Sequence, residues 1–297
     1  MTLRQTFKQA YLRLPLRPIF TALRRVWVPP PSVYRYLYFR GVFPLDVKGR
    51  RLLLRQYGTW IENELFWRGV FGGWEASSLR LWTELAERAQ VIVDVGANTG
   101  IYALLAKTVN PSARVFAFEP IQRAYEMLQA NARLNGYDID CRLSAVSNYD
   151  GVGEMFDLDI DNIYHVALDR DVHHGDVVRR KVDVVRLDTF LRQQNVEPDL
   201  IKIDVESREP EVVEGLGAYL GERRPALLVE VWHDAEQQGD LHIGSRVEAL
   251  VSGKGYRYWR IDEERGPVAA EHIGMPGRGY SNYLLCTEEM AREIGIQ

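Results

Sequence analysis

Cysteine is scarce in this chain of 297 residues, which has only two, Cys141 and Cys286. Each lies in an apolar run typical of a strand, so we expect buried thiols rather than a disulfide or a metal site. The scarcity is typical of proteins from a reducing compartment and favours a cytoplasmic location. Histidine offers no metal site either: His165, His173 and His174 have no cysteine or acid at ligand spacing, and we expect them in an exposed loop.

The sequence also lacks a long apolar run. Charged residues interrupt every apolar stretch between Met1 and Leu45, which excludes a transmembrane helix and a signal peptide there. Positive charge is not in excess overall, since the net charge is -4 and the pI about 5.9, so the composition does not support a nucleic-acid-binding protein. With 46% hydrophobic residues, the chain can form one large domain with its own core.

Acidic residues are absent from the whole segment between Met1 and Leu45. Its basic residues are Arg4, Lys8, Arg13, Arg17, Arg24, Arg25, Arg35 and Arg40. A basic, amphipathic segment that also carries Trp and Tyr can lie on an anionic membrane surface, which would put the protein at the inner face of a membrane. The alternative is an extension, residues 1–44, that packs on the domain of residues 45–297 or on a second subunit of a homo-oligomer.

The glycine pattern of dinucleotide-binding proteins, G-x-G-x-x-G, is missing as well. The stretch Val91–Gly100 reads VIVDVGANTG, an apolar strand followed by a G-x-x-x-G turn, and the next nine residues have helical spacing. Asp94 at the strand end would repel a pyrophosphate but suits a ligand with an amino group. S-adenosylmethionine has an ammonium and no phosphate, so the pattern favours this cofactor. The alternative is a structural turn that binds no ligand.

A second acid ends the next predicted strand, ARVFAFEP, at Glu119. Its distance from Gly100 is close to the roughly 20 residues at which an acid meets ribose hydroxyls in such folds. Glu119 can also be an acid at a helix N-terminus, since Pro120 follows it and the helix dipole favours a negative charge there. The two roles are compatible.

Charged residues occur in strands that we expect to be buried on both faces. PDLIKIDVE predicts a core strand in which Lys202, Asp204 and Glu206 alternate with apolar residues. PALLVEVWHD is a strand of the same type and ends near Glu230 and His233. Because ligands of such sheets bind at the carboxyl ends of the strands, we expect these side chains to face a ligand crevice.

The remaining segments complete an α/β pattern. DVKGRRLLLRQYG predicts two strands with a turn near Lys48-Gly49, and Ile139 to Val146 predicts the third core strand. VDVVRLDTFLRQQ predicts a strand and a short helix. YRYWRID and SNYLLCT predict the two final strands.

Together, the motifs DVGANTG, FEP, AVSN, LIKIDVE, ALLVEVW and NYLL resemble the FkbM-type methyltransferases, class I enzymes that depend on S-adenosylmethionine, over roughly Leu45 to Thr287. The resemblance implies a doubly wound, Rossmann-like sheet of seven strands, mostly parallel with an antiparallel last strand. It also implies methylation of a hydroxyl oxygen on a sugar, a glycolipid or a secondary metabolite.

The resemblance further implies a set of cofactor-binding residues. They are Asp94, Gly96, Ala97, Asn98 and Gly100 for the methionine part, Glu119 for the ribose, Pro120 for its turn, Glu75 nearby, and Ala145 beside the adenine. By the same resemblance, Asp204 and Glu206 lie beside the reacting methyl group. No metal is implied.

An alcohol acceptor needs help to lose its proton, and the strand ends offer candidates for the base. Asp204 is the first, with Glu206, Lys202 and His233 as alternatives. An ion pair that ties the strand end to its neighbours explains Lys202 and Asp204 equally well. Glu230 is expected to have a structural or substrate-orienting role.

One stretch departs from the family pattern: Ser207-Arg208-Glu209 stands where the family has Gly-Ala-Glu. The bulk of Arg208 bears on the acceptor mouth and on the substrate class. Two competing functions follow from the sequence, a non-catalytic protein that keeps the fold for assembly or membrane docking and a nicotinamide-dependent oxidoreductase. Asp94 and the missing glycine pattern count against the oxidoreductase.

Overall fold

The computed structural model of the chain describes residues 14–158, 177–233, 243–274 and 279–296. Its strands are β1 Gly41–Val47, β2 Arg50–Gln56, β3 Val91–Val95, β4 Arg114–Phe118, β5 Ile139–Arg142, β6 Ala145–Ser147, β7 Gly151–Leu158, β8 Val177–Arg186, β9 Leu200–Ile203, β10 Ala226–His233, β11 Tyr256–Asp262, β12 Gly266–Ala270 and β13 Gly279–Thr287. Its helices are α1 Arg17–Val26, α2 Pro31–Tyr34, α3 Trp60–Arg68, α4 Ala76–Ala86, α5 Ile101–Val109, α6 Gln122–Asn135, α7 Leu187–Gln194, α8 Glu209–Gly215, α9 Tyr219–Glu222, α10 Ile243–Val251 and α11 Glu288–Glu293.

The central sheet has eight strands in the order β12-β11-β13-β10-β9-β3-β4-β5. The five strands from β10 to β5 are parallel, and β13 runs antiparallel to β10, as the sequence predicted for the last strand. The prediction of seven strands was one short, because β12 adds a strand at the edge. It pairs with β11 through a turn in which Asp262 Oδ1 accepts hydrogen bonds from the backbone N–H groups of Glu264 and Arg265, at 3.1 and 3.0 Å.

One sequence prediction about the strands needs correction. The stretch from Ile139 to Val146 forms two strands, β5 and β6, and they belong to different sheets. The strand predicted within VDVVRL is present as part of β8, and the predicted helix follows it as α7; β8 lies between β6 and β7 in a separate three-stranded sheet. Apolar alternation identified these strands, but it cannot tell which sheet a strand joins, since that depends on its partners. The predicted pair at Lys48-Gly49 is the hairpin of β1 and β2.

Helices cover both faces of the central sheet, so the sheet is doubly wound. Ile92, Leu200 and Leu228 face a core shared with α4 and α5. Their neighbours one position along, such as Val93, Ile201 and Val229, face a second core shared with α7, α8 and α10. Side chains alternate between the faces of a strand, so residues two positions apart stay on the same face.

The described part of the N-terminal segment packs on the domain. Phe20 on α1 is buried, and its ring centroid lies 5.6 Å from that of Trp67. Tyr34 donates a hydrogen bond to Glu64 Oε1 at 2.7 Å, and Arg24 donates one to the carbonyl oxygen of Phe66. These contacts favour the alternative of a packed extension. Strand β1 spans both sides of the division at residue 44, which itself stays a prediction. Within the described residues, no helix is long and apolar enough to cross a bilayer.

Candidate active site

The turn between β3 and α5 requires glycine at two places. Gly96 has φ +80°, and a Cβ there would overlap the backbone carbonyl oxygen of Asp204. Gly100 has φ +94°, and a Cβ there would lie 2.5 Å from Leu128 Cδ1. Both positions combine a left-handed backbone with a close approach, and at Gly96 the neighbour is backbone, so a side chain there would strain the loop most. The loop is therefore held tightly against the end of β9 and against α6.

Asp94 connects the end of β3 to the helix after the turn. Its Oδ2 accepts a hydrogen bond from the backbone N–H of Ala103 at 2.9 Å, in the first turn of α5. The positive end of the helix dipole favours a carboxylate there. Burial nevertheless raises the pKa of Asp94 to about 7, although the charge of Lys202 opposes the shift. Asp94 thus lies buried beneath the loop with a proton that is easily lost at neutral pH.

Glu119 bridges the two loops above β3 and β4. Its Oε2 accepts a hydrogen bond from the N–H of Asn98, and its Oε1 one from the N–H of Ile121, each at 2.8 Å. Burial raises the pKa of Glu119 to about 7 despite these bonds. Ile121 precedes α6, so the structural role expected at the helix N-terminus is present. Each carboxylate oxygen keeps further acceptor capacity for a ligand.

Asn98 has a buried Oδ1 without a hydrogen-bond partner, and its backbone is left-handed with φ +49°. A buried acceptor without a donor is costly, so its presence in the loop favours a ligand that donates there. Ala97 and Gly96 donate their N–H groups to Phe118 O at 2.9 and 3.0 Å, which fixes the loop to β4.

Pro120 and Ala145 lie near the acids without a described hydrogen bond to them. Pro120 is half-buried between Glu119 and Ile121. Ala145 begins β6, three residues after Arg142, whose carbonyl oxygen accepts a hydrogen bond from the N–H of Glu119 at 3.0 Å. This puts the chain around Ala145 beside the cofactor loops, and its contact with adenine stays a prediction.

A second group of charged residues lies at the ends of β9 and β10. The buried Lys202 has its Nζ 3.4 Å from Asp204 Oδ2 and 5.1 Å from the ring centroid of Tyr102. Burial alone would raise the pKa of Asp204, but the charge of Lys202 and a hydrogen bond from Glu230 lower it. Burial and the charge of Asp204 raise the pKa of Glu230 well above its usual value. The two carboxyl groups therefore share one proton, and Glu230 carries it.

Lys202 is charged in this arrangement. Burial lowers its pKa, but the surrounding carboxylates, with Asp204 first, raise it above the usual value. A charged ammonium cannot accept a proton, so the geometry argues against Lys202 as the base. The ion pair foreseen from the sequence is present, and it fixes Asp204 in place.

Glu75 lies beside the same group, immediately before α4. Its Oε2 accepts a hydrogen bond from the hydroxyl of Tyr102, and its side chain also bonds to Asn282. Burial raises the pKa of Glu75 to about 7, with the charge of Lys202 opposing and that of Asp204 adding to the shift. Glu75 thus connects α4, α5 and β13 at the edge of the site.

Strand register explains why these residues meet. Asp94 and Lys202 are partners in the parallel β3–β9 pair, and Glu230 and Asn282 are partners in the antiparallel β10–β13 pair. Each continues the face of the sheet that carries Ile92, Leu200, Leu228 and Leu284. This face is apolar at its centre and becomes charged at the carboxyl ends of the strands.

The segment after β9 has unusual backbone conformations. Glu206 and Ser207 are both left-handed, with φ +53° and +76°. Glu209 is buried and stabilises the turn, because its Oε1 accepts hydrogen bonds from the N–H groups of Val205 and Ser207 at 3.2 and 3.1 Å. Burial and the nearby Asp204 and Glu209 raise the pKa of Glu206 to about 8.

Arg208 does not join the buried acids. Its side chain is 61% exposed, and its Nη1 lies 3.6 Å from Glu211 Oε1 on α8. The bulk that departs from the family pattern is therefore turned to the surface.

The structure describes no side chain for the four histidines considered in the sequence analysis. His165, His173 and His174 lie outside the described residues, and of His233 only the backbone, the last residue of β10, is described. In the described ranges, no group of three or more histidine, cysteine or acidic side chains has the arrangement of a metal site.

The site as a whole has more negative than positive groups. Its carboxyl groups belong to Glu75, Asp94, Glu119, Asp204, Glu206, Glu209 and Glu230, and the cation among them is Lys202. Such an excess is unfavourable unless protons or a cationic ligand reduce it. These residues therefore fit a ligand with ammonium and sulfonium groups.

Sequence reasoning did not single out three residues that the structure brings to the site, Tyr102, Asn282 and Glu209, and the role expected for Glu230 stays a prediction. The sequence contains a sign of Glu230 and Asn282. Each is a polar residue on a core strand, two positions from an apolar residue that lies on the same face of the sheet. Tyr102 gave no such signal, because an aromatic residue in the first turn of a helix normally indicates packing.

Comparison with known proteins adds independent evidence. A profile of the family described as "Methyltransferase FkbM domain" matches residues 94–258, which is more than half of the chain. The matched range includes the glycine loop and the ends of β4, β9 and β10.

Three curated proteins are similar over long stretches. Methyltransferase sdnD of Sordaria araneosa is 30% identical over 205 residues, 59% of this chain and 77% of that protein. The 31-O-demethyl-FK506 methyltransferase FkbM of Streptomyces tacrolimicus is 29% identical over 245 residues, 70% of this chain and 86% of that protein. The hexuronic acid methyltransferase AglP of Haloferax volcanii is 28% identical over 145 residues, 48% of this chain and 56% of that protein. Family profile, relatives and fold agree, and the chain belongs to the FkbM methyltransferase family.

Proposed function

We propose that the protein transfers a methyl group from S-adenosylmethionine to a hydroxyl oxygen of a sugar, a glycolipid or a secondary metabolite. The observation that carries this proposal is the excess of buried carboxyl groups around the Gly96–Gly100 loop. A cofactor with an ammonium and a sulfonium group would offset that excess. A nicotinamide dinucleotide would bring two further negative charges to Asp94 and Glu119, which disfavours the oxidoreductase alternative.

The residues divide into two groups along the sheet. Asp94, Asn98 and Glu119, with the glycine loop, would hold the cofactor over β3 and β4. Asp204, Glu206 and Glu230 lie towards β9 and β10, where the acceptor would approach. When bound, the sulfonium supplies an already activated methyl group, so the chain mainly aligns the acceptor and removes its proton.

Two carboxylates are suited to removing that proton, for different reasons. Asp204 is ionised at neutral pH and held by Lys202, but its lowered pKa makes it a weak base. Glu206, with a pKa of about 8, is the stronger base but is mostly protonated at neutral pH. Asp204 stays the first candidate because Lys202 and Glu230 both contact it and hold it in position. Glu206 is the second, and His233 stays a third.

The name of one relative supports an oxygen acceptor, since it is named for 31-O-demethyl-FK506, and another relative is named for hexuronic acid, a sugar acid. The third alternative from the sequence, a non-catalytic protein, was based partly on Arg208. Since Arg208 is turned to the surface, that support is weakened.

Calorimetry tests the cofactor. S-adenosylmethionine and S-adenosylhomocysteine should bind, and NADH should not. Glu119→Ala should weaken binding by about 1.5–3 kcal/mol, the range for a hydrogen bond to a charged group. Glu126→Gln on the exposed side of α6 is the control and should bind normally. Absence of heat with both S-adenosyl ligands would end the proposal.

Incubation with labelled S-adenosylmethionine and an extract of the native host tests turnover. A product one methyl group heavier is expected. Cofactor binding without any labelled product would instead favour the non-catalytic alternative.

We also propose that the protein is cytoplasmic and contacts an anionic membrane through its N-terminal segment. Phe20 holds α1 on the core, but the other side of α1 and the segment after it remain exposed. The exposed apolar side chains are Ile19, Val26, Trp27, Val28, Val33 and Tyr36, and the exposed arginines near them include Arg17, Arg25 and Arg35. Apolar side chains can enter the headgroup region while each arginine near the surface contributes about 1 kcal/mol.

Vesicle sedimentation tests the membrane contact. The protein should sediment with phosphatidylserine-containing vesicles, less at high salt, and much less with pure phosphatidylcholine. Val26→Glu, at a position 83% exposed, should reduce sedimentation, whereas Val152→Glu, at a position 62% exposed on β7, should not. Deleting the segment would be a poor test, because Phe20, Tyr34 and Phe39 belong to the core. Equal recovery in the supernatant with both vesicle types at low salt would defeat the idea.

A further inference from the structure

The charged face of the sheet continues into an aromatic pair. Two positions beyond Glu230 on β10 is Trp232, and two positions before Asn282 on β13 is Tyr280. Trp232 and Tyr280 are direct partners in the β10–β13 register, just as Glu230 and Asn282 are. Their ring centroids are 5.3 Å apart with an interplanar angle of 42°. We call this pair the aromatic shelf.

The shelf is open, unlike most aromatic residues of the central sheet. Trp232 is 38% and Tyr280 is 40% exposed, whereas Phe116, Trp259 and Tyr283 are buried. Exposed aromatic rings at the edge of a buried polar site are typical of ligand contacts, since they offer a rigid apolar surface at small entropic cost.

The shelf is also joined to the charged site. The hydroxyl of Tyr280 accepts a hydrogen bond from the Trp74 side chain, and the Trp74 ring centroid lies 6.4 Å from that of Tyr102. Tyr102 in turn donates to Glu75. The rings therefore stand in a fixed position next to the carboxyl groups rather than on a separate surface.

The position of the shelf separates it from the cofactor loop. Across the sheet the order is β3, β9, β10 and β13, and neighbouring strands are about 4.8 Å apart. The shelf on β10 and β13 is thus about 10 Å or more from the strand that carries Asp94, with Asp204 at the end of β9 between them. A cofactor over β3 and β4 would leave this side of Asp204 to the acceptor.

A buried acceptor atom points to the chemistry of the ligand. Asn282 is only 3% exposed, its side chain bonds to Glu75, and its Oδ1 has no hydrogen-bond partner. Asp204, beside it, is ionised and also accepts hydrogen bonds, whereas Glu230 carries the proton that the two carboxyl groups share. A ligand here should donate hydrogen bonds, and hydroxyl groups do so without adding charge.

We propose that Trp232 and Tyr280 bind the methyl acceptor, and that this acceptor is a saturated ring carrying several hydroxyl groups, that is, a sugar. The C–H face of the ring lies on the aromatic rings, whose faces are negative and attract it. One hydroxyl reaches Asn282 Oδ1, and the hydroxyl to be methylated points to Asp204 and Glu230. This inference rests on the proposed methyl transfer and adds the acceptor class and its binding residues.

Label transfer in host extract tests the shelf. Wild type, Trp232→Ala, Tyr280→Ala and the control Trp60→Ala, at a position 44% exposed on α3, are compared over a range of extract dilutions. At high dilution, Trp232→Ala should incorporate about tenfold less label, the loss of one aromatic contact, and should recover as extract is increased. Its affinity for S-adenosylmethionine should stay within about twofold of wild type, and Trp60→Ala should match wild type. After acid hydrolysis, the label should be in a methylated monosaccharide.

Several results would overturn the inference. Wild-type incorporation by both shelf variants would show that the acceptor does not touch the rings. Lost cofactor affinity in Trp232→Ala, with normal thermal unfolding, would assign the shelf to the cofactor. Label in a product without sugar would refute the acceptor class while leaving methyl transfer intact. No labelled product from wild type would refute the proposed function, and the inference with it. If Trp232→Ala does not fold, Trp232→Phe and Tyr280→Ala carry the comparison, with Trp232→Phe expected near wild type.

Discussion

Binding of S-adenosylmethionine at pH 7 should release protons from the site into the buffer. The pKa values of Glu75, Asp94 and Glu119 are raised to about 7, chiefly by burial. At pH 7 each of these groups is therefore about half protonated. A cationic ligand favours their ionised forms, so protons must leave as it binds.

The size of the release follows from the same values. A unit charge about 5 Å away is worth about 3 kcal/mol at an effective dielectric constant of about 20, or about two pKa units. A shift of that size ionises a half-protonated carboxyl group almost completely. Glu75, Asp94 and Glu119 together would then release about 1.5 protons at pH 7. At pH 9, where all three are already ionised, the release should be close to zero.

Isothermal titration calorimetry in buffers of different ionisation enthalpy measures this number directly. The slope of the observed enthalpy against the buffer's ionisation enthalpy gives the protons released. S-adenosylhomocysteine, which lacks the sulfonium charge, should release fewer. Glu75→Gln should lower the release by about half a proton, and the exposed Glu126→Gln should leave it unchanged. Equal enthalpies in all buffers at pH 7 would show that binding does not change the protonation of these acids, which would refute the prediction.

Three further predictions concern single residues. Asp204→Asn should reduce turnover by about 10²–10⁴ with nearly unchanged cofactor affinity, and a larger fall in Glu206→Gln would move the role of base to Glu206. Gly96→Ala should lower the free energy of unfolding in urea by more than Gly136→Ala, because both are left-handed but only Gly96 has a neighbour that a Cβ would overlap; equal losses would contradict the overlap. Without ligand, the melting temperature should fall as the pH rises from 5 to 8, since the folded state binds more protons at Asp94 than the unfolded state and loses that advantage through a pKa of about 7. Asp94→Asn should make this pH dependence shallower, and an unchanged dependence would contradict the pKa of Asp94.

The parts of the fold and of the site that depend on local pattern could be predicted from the sequence. The strand, turn and helix around Gly96 are local, and so is the acid at the end of β4, because both follow from residues close in the chain. The antiparallel last strand followed from the family resemblance. The pairing of Glu230 with Asn282 could not be foreseen, because the register of β10 and β13 is set by packing between segments about 50 residues apart.

Arg208 shows a second limit of prediction from the sequence, which concerns the direction of a side chain. Its bulk suggested a changed acceptor mouth, but bulk matters only in the direction in which a side chain points. The left-handed residues Glu206 and Ser207 before it redirect the chain, and the guanidinium meets Glu211 at the surface. Such a backbone conformation is uncommon for residues other than glycine, so it could not be predicted from the residues alone.

The acids with raised pKa values also bear on the end of the reaction. In the proposed reaction, methylation of a hydroxyl group would convert the sulfonium into an uncharged sulfide and leave one proton to be bound. Once that positive charge is lost, the pKa values of Glu75, Asp94 and Glu119 should return towards about 7, so that these groups would again bind protons at neutral pH. If Asp204 or Glu206 is the base, it would receive the proton first, and the hydrogen bond between Asp204 and Glu230 would let that pair share it. The charge of the site would therefore change little between cofactor binding and methyl transfer, because carboxyl groups that ionise when the cation binds can become neutral again when its charge is gone.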